Sequence, residues 1–328
     1  MSSRAKTTSA VPTSNSPPEN TGPAPTPGPV VTTALATRAR EGFAVARDGT
    51  PIYYRVVAEG DGAGIPVVFA DGIGCDGYVW KYLERELQAS RRVVHFHYRG
   101  HGRTPPPRDL RHVDITDLAD DLASVMDAAL GDGSTAILAG HSMGVQVCLE
   151  AFRRHRKRVR GLILLCGSYG TPLRTFKGRQ TLEQALPWVR FLVNRLPGVV
   201  TNVWRRVIPT ELAYQIATRF ELNGALIRRE DFFPYLQHMA TVDVRLFLTM
   251  LAAAGRHSAK EILEQVDIPT LIVSGERDGF TPAQLSEEMH QLIRDSELFV
   301  VPDGSHTAPI ERPAEVTGRI ADFLRKQF

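Results

Sequence analysis

Gly140-His141-Ser142-Met143-Gly144 is the stretch of this chain whose residue types most directly imply a reaction. It sits between a strand-like run, Thr135-Ala136-Ile137-Leu138-Ala139, and a helix-like run from Val145 onward. A serine at a sharp strand-to-helix turn is held in a strained backbone conformation. Flanking glycines admit that turn, because a Cβ there would collide with the adjoining backbone. The hydroxyl is then displayed above the sheet, beside a helix N-terminus that favours developing negative charge.

Such a serine becomes a nucleophile only with a base to take its proton and a carboxylate to orient that base. Both follow later in the chain. Asp278 comes after the buried-strand pattern at 269–275, and His306 comes after the strand pattern at 297–301 and the turn Pro302-Asp303-Gly304-Ser305. Each therefore lies just past the carboxyl end of a strand, where open α/β sheets bind their ligands. Glu276 is the close competitor of Asp278 and is expected to point elsewhere along the same loop. Asp303 reads as part of the turn into His306.

The elements that must hold these groups alternate. A hairpin is signalled by Asp48-Gly49 between the runs 43–47 and 52–56. Strands at 66–70, 92–97 and 161–165 interleave with helices at 78–87 and 115–129. The pattern predicts an α/β fold, a mostly parallel sheet with helices on both faces. From 171 to 264 it changes to helices alone, at 182–196, 203–208, 211–222 and 232–254, with breaks at Pro197-Gly198, Pro209 and Asn223-Gly224. The chain thus divides into a Pro-, Ser- and Thr-rich tail (1–38), a first core part (39–170), a helical insertion (171–264) and a second core part (265–328). The tail's composition predicts disorder. The insertion's aromatic residues (Trp188, Phe191, Trp204, Phe232, Phe233, Tyr235 and Phe247) read mostly as its own core, with a few facing Ser142.

From about Glu41 to the C-terminus the chain resembles the α/β-hydrolase superfamily. The serine elbow and the order Ser142…Asp278…His306 carry the resemblance. So do Val67-Val68-Phe69-Ala70-Asp71-Gly72-Ile73-Gly74, which matches the third strand and oxyanion loop, and His97-Tyr98-Arg99-Gly100-His101-Gly102-Arg103-Thr104, which matches the family's R-G-x-G-x-[ST] loop. The resemblance implies an α/β-hydrolase fold whose insertion is a helical lid. It also implies an oxyanion hole made by the backbone N–H groups of Ile73 and Met143, such donors being worth roughly 3 kcal/mol each. The loop from Asp71 to Asp76, with Trp80, is somewhat similar to that of enol-lactone hydrolases.

Two positions depart from the family. Many relatives have histidine where Asp71 stands and aspartate where His97 stands. His97 is expected to change only how a loop is braced. A carboxylate facing the oxyanion would oppose it, so Asp71 is expected to turn away and hydrogen-bond within its loop. Cys166-Gly167-Ser168-Tyr169 leaves empty the alternative acid position that some relatives use after the 161–165 strand. His141 and His101 read as structural.

Composition narrows the rest. The chain has 328 residues, 43% of them hydrophobic, and a formal charge of +3, too small for its size to imply a nucleic-acid partner. The run from Arg153 to Arg158 ends a helix, where cations suit the dipole; an anionic partner there is the alternative. Cys75, Cys148 and Cys166 have no metal-like spacing and fit a reducing compartment. Cys148 and Cys166 read as inert core thiols, whereas Cys75 lies beside the oxyanion loop. No apolar run is long enough to span a bilayer and no signal peptide is evident, so a cytoplasmic location is expected, although the acid-poor tail is compatible with an organelle transit peptide.

The expected function is a serine hydrolase of small or medium esters, lactones or thioesters, needing no metal and no organic cofactor and acting on a small-molecule substrate. Alternatives are C–C bond hydrolysis, cofactor-free perhydrolysis or acyl transfer at the same groups, and a non-catalytic ligand-binding member. Serine at the elbow argues against dehalogenase or epoxide hydrolase chemistry, for which the superfamily uses aspartate. The sequence sets no oligomeric state.

Overall fold

Short apolar runs alternating with helices build one eight-stranded sheet in the computed structural model, which describes residues 37–59, 63–170, 181–220 and 222–328. The tail expected over 1–38 lies outside the described residues except for its last two, which open the first strand. β1 (Thr37–Val45) and β2 (Pro51–Glu59) form the antiparallel hairpin closed by Asp48-Gly49, with Gly49 at φ 82°. β3 (Gly64–Ala70), β4 (Arg91–Phe96), β5 (Ala136–His141), β6 (Val159–Leu165), β7 (Thr270–Gly275) and β8 (Ser296–Val301) are parallel to one another. The strand order is β1-β2-β4-β3-β5-β6-β7-β8.

Both faces of the parallel strands are covered, which is why these strands are apolar throughout rather than alternating with polar residues. Val68, Ala70, Leu138 and Leu164 face one core; Val67, Phe69, Ile137 and Leu165 face the other. Each large side chain so removed from water contributes roughly 1.5–3 kcal/mol. α1 (Lys81–Leu87) lies on the second face, and α2 (Ile115–Leu130) and α3 (Met143–His155) on the first.

Between β6 and β7 the described chain is helical: α4 (Thr181–Arg195), α5 (Pro197–Val207), α6 (Glu211–Phe220), α7 (Arg229–Met239) and α8 (Val244–Arg256). The start of the insertion expected at 171 lies outside the described residues. α9 (Ala283–Leu292), α10 (Ala308–Glu311) and α11 (Pro313–Gln327) complete the chain, and α11 joins α1 on the second face through Val316, Ile320 and Phe323. No helix among the described residues is long and apolar enough to cross a membrane.

Three expectations for the insertion need correction. Pro197-Gly198 does not break helical structure up to Val203; it starts α5, since proline at the first helical position loses no hydrogen bond. The single helix expected at 232–254 is two, because the Asp243 side chain accepts from Arg245 N–H (2.8 Å) and Leu246 N–H (3.1 Å) and so caps a new one. Trp188 and Phe191, assigned to the insertion's core, are 76% and 64% exposed, because α4 packs against α8 through Leu186 and Val193 on its other side.

Candidate active site

Where β5 turns into α3, Ser142 has φ 56° and ψ −117°, a region that costs a non-glycine residue on the order of 1–3 kcal/mol. Close packing holds it there. A Cβ on Gly140 would run into the Gly144 carbonyl oxygen, and one on Gly144 into that of Ala70 at the end of β3. Ser142 N–H donates to Leu165 O (3.0 Å), tying the turn to β6. The glycines thus let the backbone of the elbow pass against β3, and the strain falls on the residue between them.

His306 follows β8 and reaches Ser142 across the sheet top. Its Nε2 is 2.9 Å from Ser142 Oγ, and its Nδ1 is 2.9 Å from Asp278 Oδ2. A carboxylate only accepts, so Nδ1 carries the proton and Nε2 is left to accept from the serine hydroxyl. Asp278 is buried after β7 and fully engaged: Oδ1 accepts from the amides of Phe280 (2.8 Å) and Thr281 (2.9 Å), and Oδ2 also from Thr281 Oγ1 (2.8 Å). Glu276 points away, accepting from Asp303 N–H at 2.9 Å, and Asp303 makes the turn at φ 57°. Cys166 and Ser168 occupy the alternative acid position after β6 and are buried.

Two amides border the same space. Met143 is the first residue of α3, so its N–H has no intrahelical partner. Ile73 N–H donates no hydrogen bond among the described residues. The Ile73 loop is held by His101, whose Nε2 accepts from Gly74 N–H (3.0 Å) while Nδ1 donates to Arg99 O (3.0 Å). Arg99 is itself buried in a bidentate pair with Asp121, at 2.6 and 2.8 Å.

Asp71 faces away from Ser142, as expected, but its partners lie outside its own loop. Oδ1 accepts from Trp80 Nε1–H (2.7 Å), and Oδ2 pairs with His95 Nε2 (2.8 Å) on β4. Burial would raise its pKa, yet the neighbouring His95 and His97 and the Trp80 hydrogen bond hold it below the usual carboxylate range. His97, two residues further on, accepts from Arg103 N–H at 2.9 Å and so braces that loop.

His141 is buried, with Nε2 donating to the His306 carbonyl at 2.9 Å. Chiefly through burial, the pKa of His97 falls to about 3 and those of His101 and His141 to about 4. All three are therefore neutral in the folded protein, whereas an unfolded histidine takes its proton near 6.5. Stability from these groups is complete above that pH and is lost as pH falls toward 4, at about 1.4 kcal/mol per pH unit for each fully postponed proton. Urea midpoints measured from neutral to acid pH should drop most steeply in this window. A flat profile there would mean that the three rings are already charged in the fold.

Residues that sequence reasoning missed support the same constellation. Glu311 on α10 is buried and accepts from Ser305 N–H (2.7 Å) and Thr307 Oγ1 (2.9 Å), fixing both neighbours of His306. Thr281 fixes Asp278. Of these, only Asp278-x-x-Thr281 left a local signal, a carboxylate three residues before a hydroxyl at a loop.

Above Ser142 lies a cavity of about 340 Å³, enclosed by Ile73, Phe280 and the insertion residues Ala217, Phe232, Tyr235, Met239, Phe247 and Leu251. Its lining is largely apolar, and Gln146 is tied to Ala254 O at 2.9 Å. Cys75 borders the cavity, but burial keeps its thiol well above the usual range, so it stays protonated and unreactive. A larger surface groove, about 620 Å³, runs among Asp109, Arg111, Arg245 and Arg256 and contains none of these groups. The basic run at the end of α3 is occupied by the chain's own acids: Arg154 and His155 meet Asp120, Arg156 meets Asp267 and Arg158 meets Asp127.

A strained serine between a central strand and a helix, hydrogen-bonded to a histidine from the far edge of a mostly parallel sheet, defines a fold class with its site at the strand ends. The model of the α/β-hydrolase fold family matches residues 65–313, and the chain belongs to that family as an esterase-like member. It is 27% identical to the pimeloyl-[acyl-carrier protein] methyl ester esterase of Neisseria meningitidis over 260 residues, covering 79% of this chain and 92% of that one. The esterase of Thermogutta terrifontis superposes with a TM-score of 0.68 at 26% identity, over 88% of this chain and 98% of that one. The enol-lactonase of Burkholderia xenovorans shares the fold, with a TM-score of 0.68 at 21% identity and coverage of 86% and 99%.

Proposed function

We propose that the protein is a serine hydrolase that cleaves small or medium carboxylic esters, with lactones and thioesters as close variants. The observation that carries this reading is the unbroken hydrogen-bond chain from Ser142 Oγ through His306 to Asp278, opening on an apolar cavity. The names of the two esterases similar to this chain support it.

In this reading Ser142 Oγ attacks the ester carbonyl as its proton passes to His306 Nε2, and Asp278 stabilises the imidazolium. The amides of Ile73 and Met143 receive the oxyanion. Collapse expels the alcohol, protonated by His306, and leaves an acyl group on Ser142. Water then attacks, giving its proton to His306; the bond from the acyl carbon to Ser142 Oγ breaks as His306 returns that proton to Oγ, and the acid departs. Every proton and charge in this sequence has a protein partner, so the chemistry asks for no metal or organic cofactor. A cavity of this size and character suits an uncharged acyl chain or ring of modest size. The helices between β6 and β7 act as the lid that roofs it, so the division into core (39–170), lid (171–264) and core (265–328) is also functional.

Labelling with a fluorophosphonate, followed by peptide mass spectrometry, tests the reading. The expected adduct sits on Ser142 and is absent in His306→Ala. Labelling elsewhere, or undiminished labelling without the histidine, would remove the proposed nucleophile–base pair.

A further inference from the structure

Among the described residues, ten of the twelve exposed large hydrophobics lie between Trp188 and Ile216, on α4, α5 and α6 and the links between them. Each helix already buries one face: Val193 of α4, Trp204 of α5 and Tyr214 of α6 pack inward. The remaining faces repeat one pattern at i, i+4 and i+7. They read Trp188, Leu192, Arg195 on α4; Val199, Val203, Arg206 on α5; and Leu212, Ile216, Arg219 on α6. Residues so spaced share one stripe of a helix. Helices apolar on a second side call for a second cover.

Charge says what kind. Residues 181–220 contain five arginines and two glutamates, and Glu211 is taken by Arg229 at 3.0 Å. Arg195, Arg206 and Arg219 are exposed and form no ion pair among the described residues, unlike the arginines after α3. A second copy of the chain would set like charges against each other in a self-complementary contact. An anionic layer with an apolar interior matches both parts of each stripe.

We infer that this face docks on a bilayer carrying anionic lipid headgroups. The apolar residues enter the headgroup–acyl boundary, and the arginine closing each stripe stays at the phosphate level. Ala217, on the opposite side of α6 from Leu212 and Ile216, lines the cavity over Ser142, so docking brings the cavity roof to the lipid surface. The surface is independent of the hydrolase reading, because binding can be measured without turnover.

Co-sedimentation of the full chain with vesicles tests it. The protein should pellet with phosphatidylcholine vesicles containing phosphatidylglycerol and much less with phosphatidylcholine alone, and salt should release it. Arg195→Gln, Arg206→Gln and Arg219→Gln together should weaken binding on the order of 100-fold. Trp188→Ser with Leu192→Ser should weaken it as well, with the thermal melt and Ser142 labelling unchanged in both variants. Equal binding to both vesicle types would overturn the inference, as would binding untouched by either set of substitutions. So would light scattering that shows a dimer which the same substitutions dissociate, since a second copy would then be the cover.

Discussion

Ser142→Ala should abolish ester turnover, lowering kcat on the order of a million-fold, while leaving the thermal melt within a degree or so of the parent. The loss is large because no neighbour can substitute. His141 is committed to the His306 carbonyl, and the thiol of Cys75 is kept protonated by burial. The fold is spared because the elbow's packing is made by Gly140, Gly144 and Ala70 rather than by the serine side chain. Alanine carries the same positive-φ strain as serine, so the backbone has no reason to relax. Assay of purified variant and parent on p-nitrophenyl esters checks this. Parent-like turnover in the variant would end the Ser142 mechanism.

Asp278→Asn should cost about 10⁴-fold in kcat. Asparagine can keep Oδ1 as the acceptor for the Phe280 and Thr281 amides, so the loop should hold its shape. Its amide NH₂ then replaces Oδ2 and presents a donor to His306 Nδ1. The ring answers by moving its proton to Nε2, where it can no longer accept from Ser142. Glu276→Gln is the control, expected to change the rate less than twofold, since Glu276 serves only the exposed Asp303 turn. Steady-state rates on one ester decide between them. If Glu276→Gln were the damaging change, the acid would be misassigned.

The elbow and its partners were legible because each carries a local mark: two glycines around a serine, or an acid or histidine just past an apolar strand. The alternation of strands and helices was legible for the same reason, buried parallel strands being apolar whichever face a residue takes. What depended on distant contact was not. Asp71 finds His95 on another strand, and His101 meets Gly74 from 27 residues away. The split between α7 and α8 was hidden because Thr241-Val242-Asp243 lies inside a run with helical periodicity, and only the side chain of Asp243 ends it. Trp188 and Phe191 show a further limit: periodicity reveals that a face is apolar, not what covers it.

The geometry at Ser142 separates two tasks that share one residue. The conformation belongs to the backbone and to its glycine neighbours, and the hydroxyl is turned to His306. The position therefore works as a mount, indifferent to which reactive group it displays. Exchange of this one side chain should therefore change the group on display while the sheet, the histidine and the cavity stay as they are.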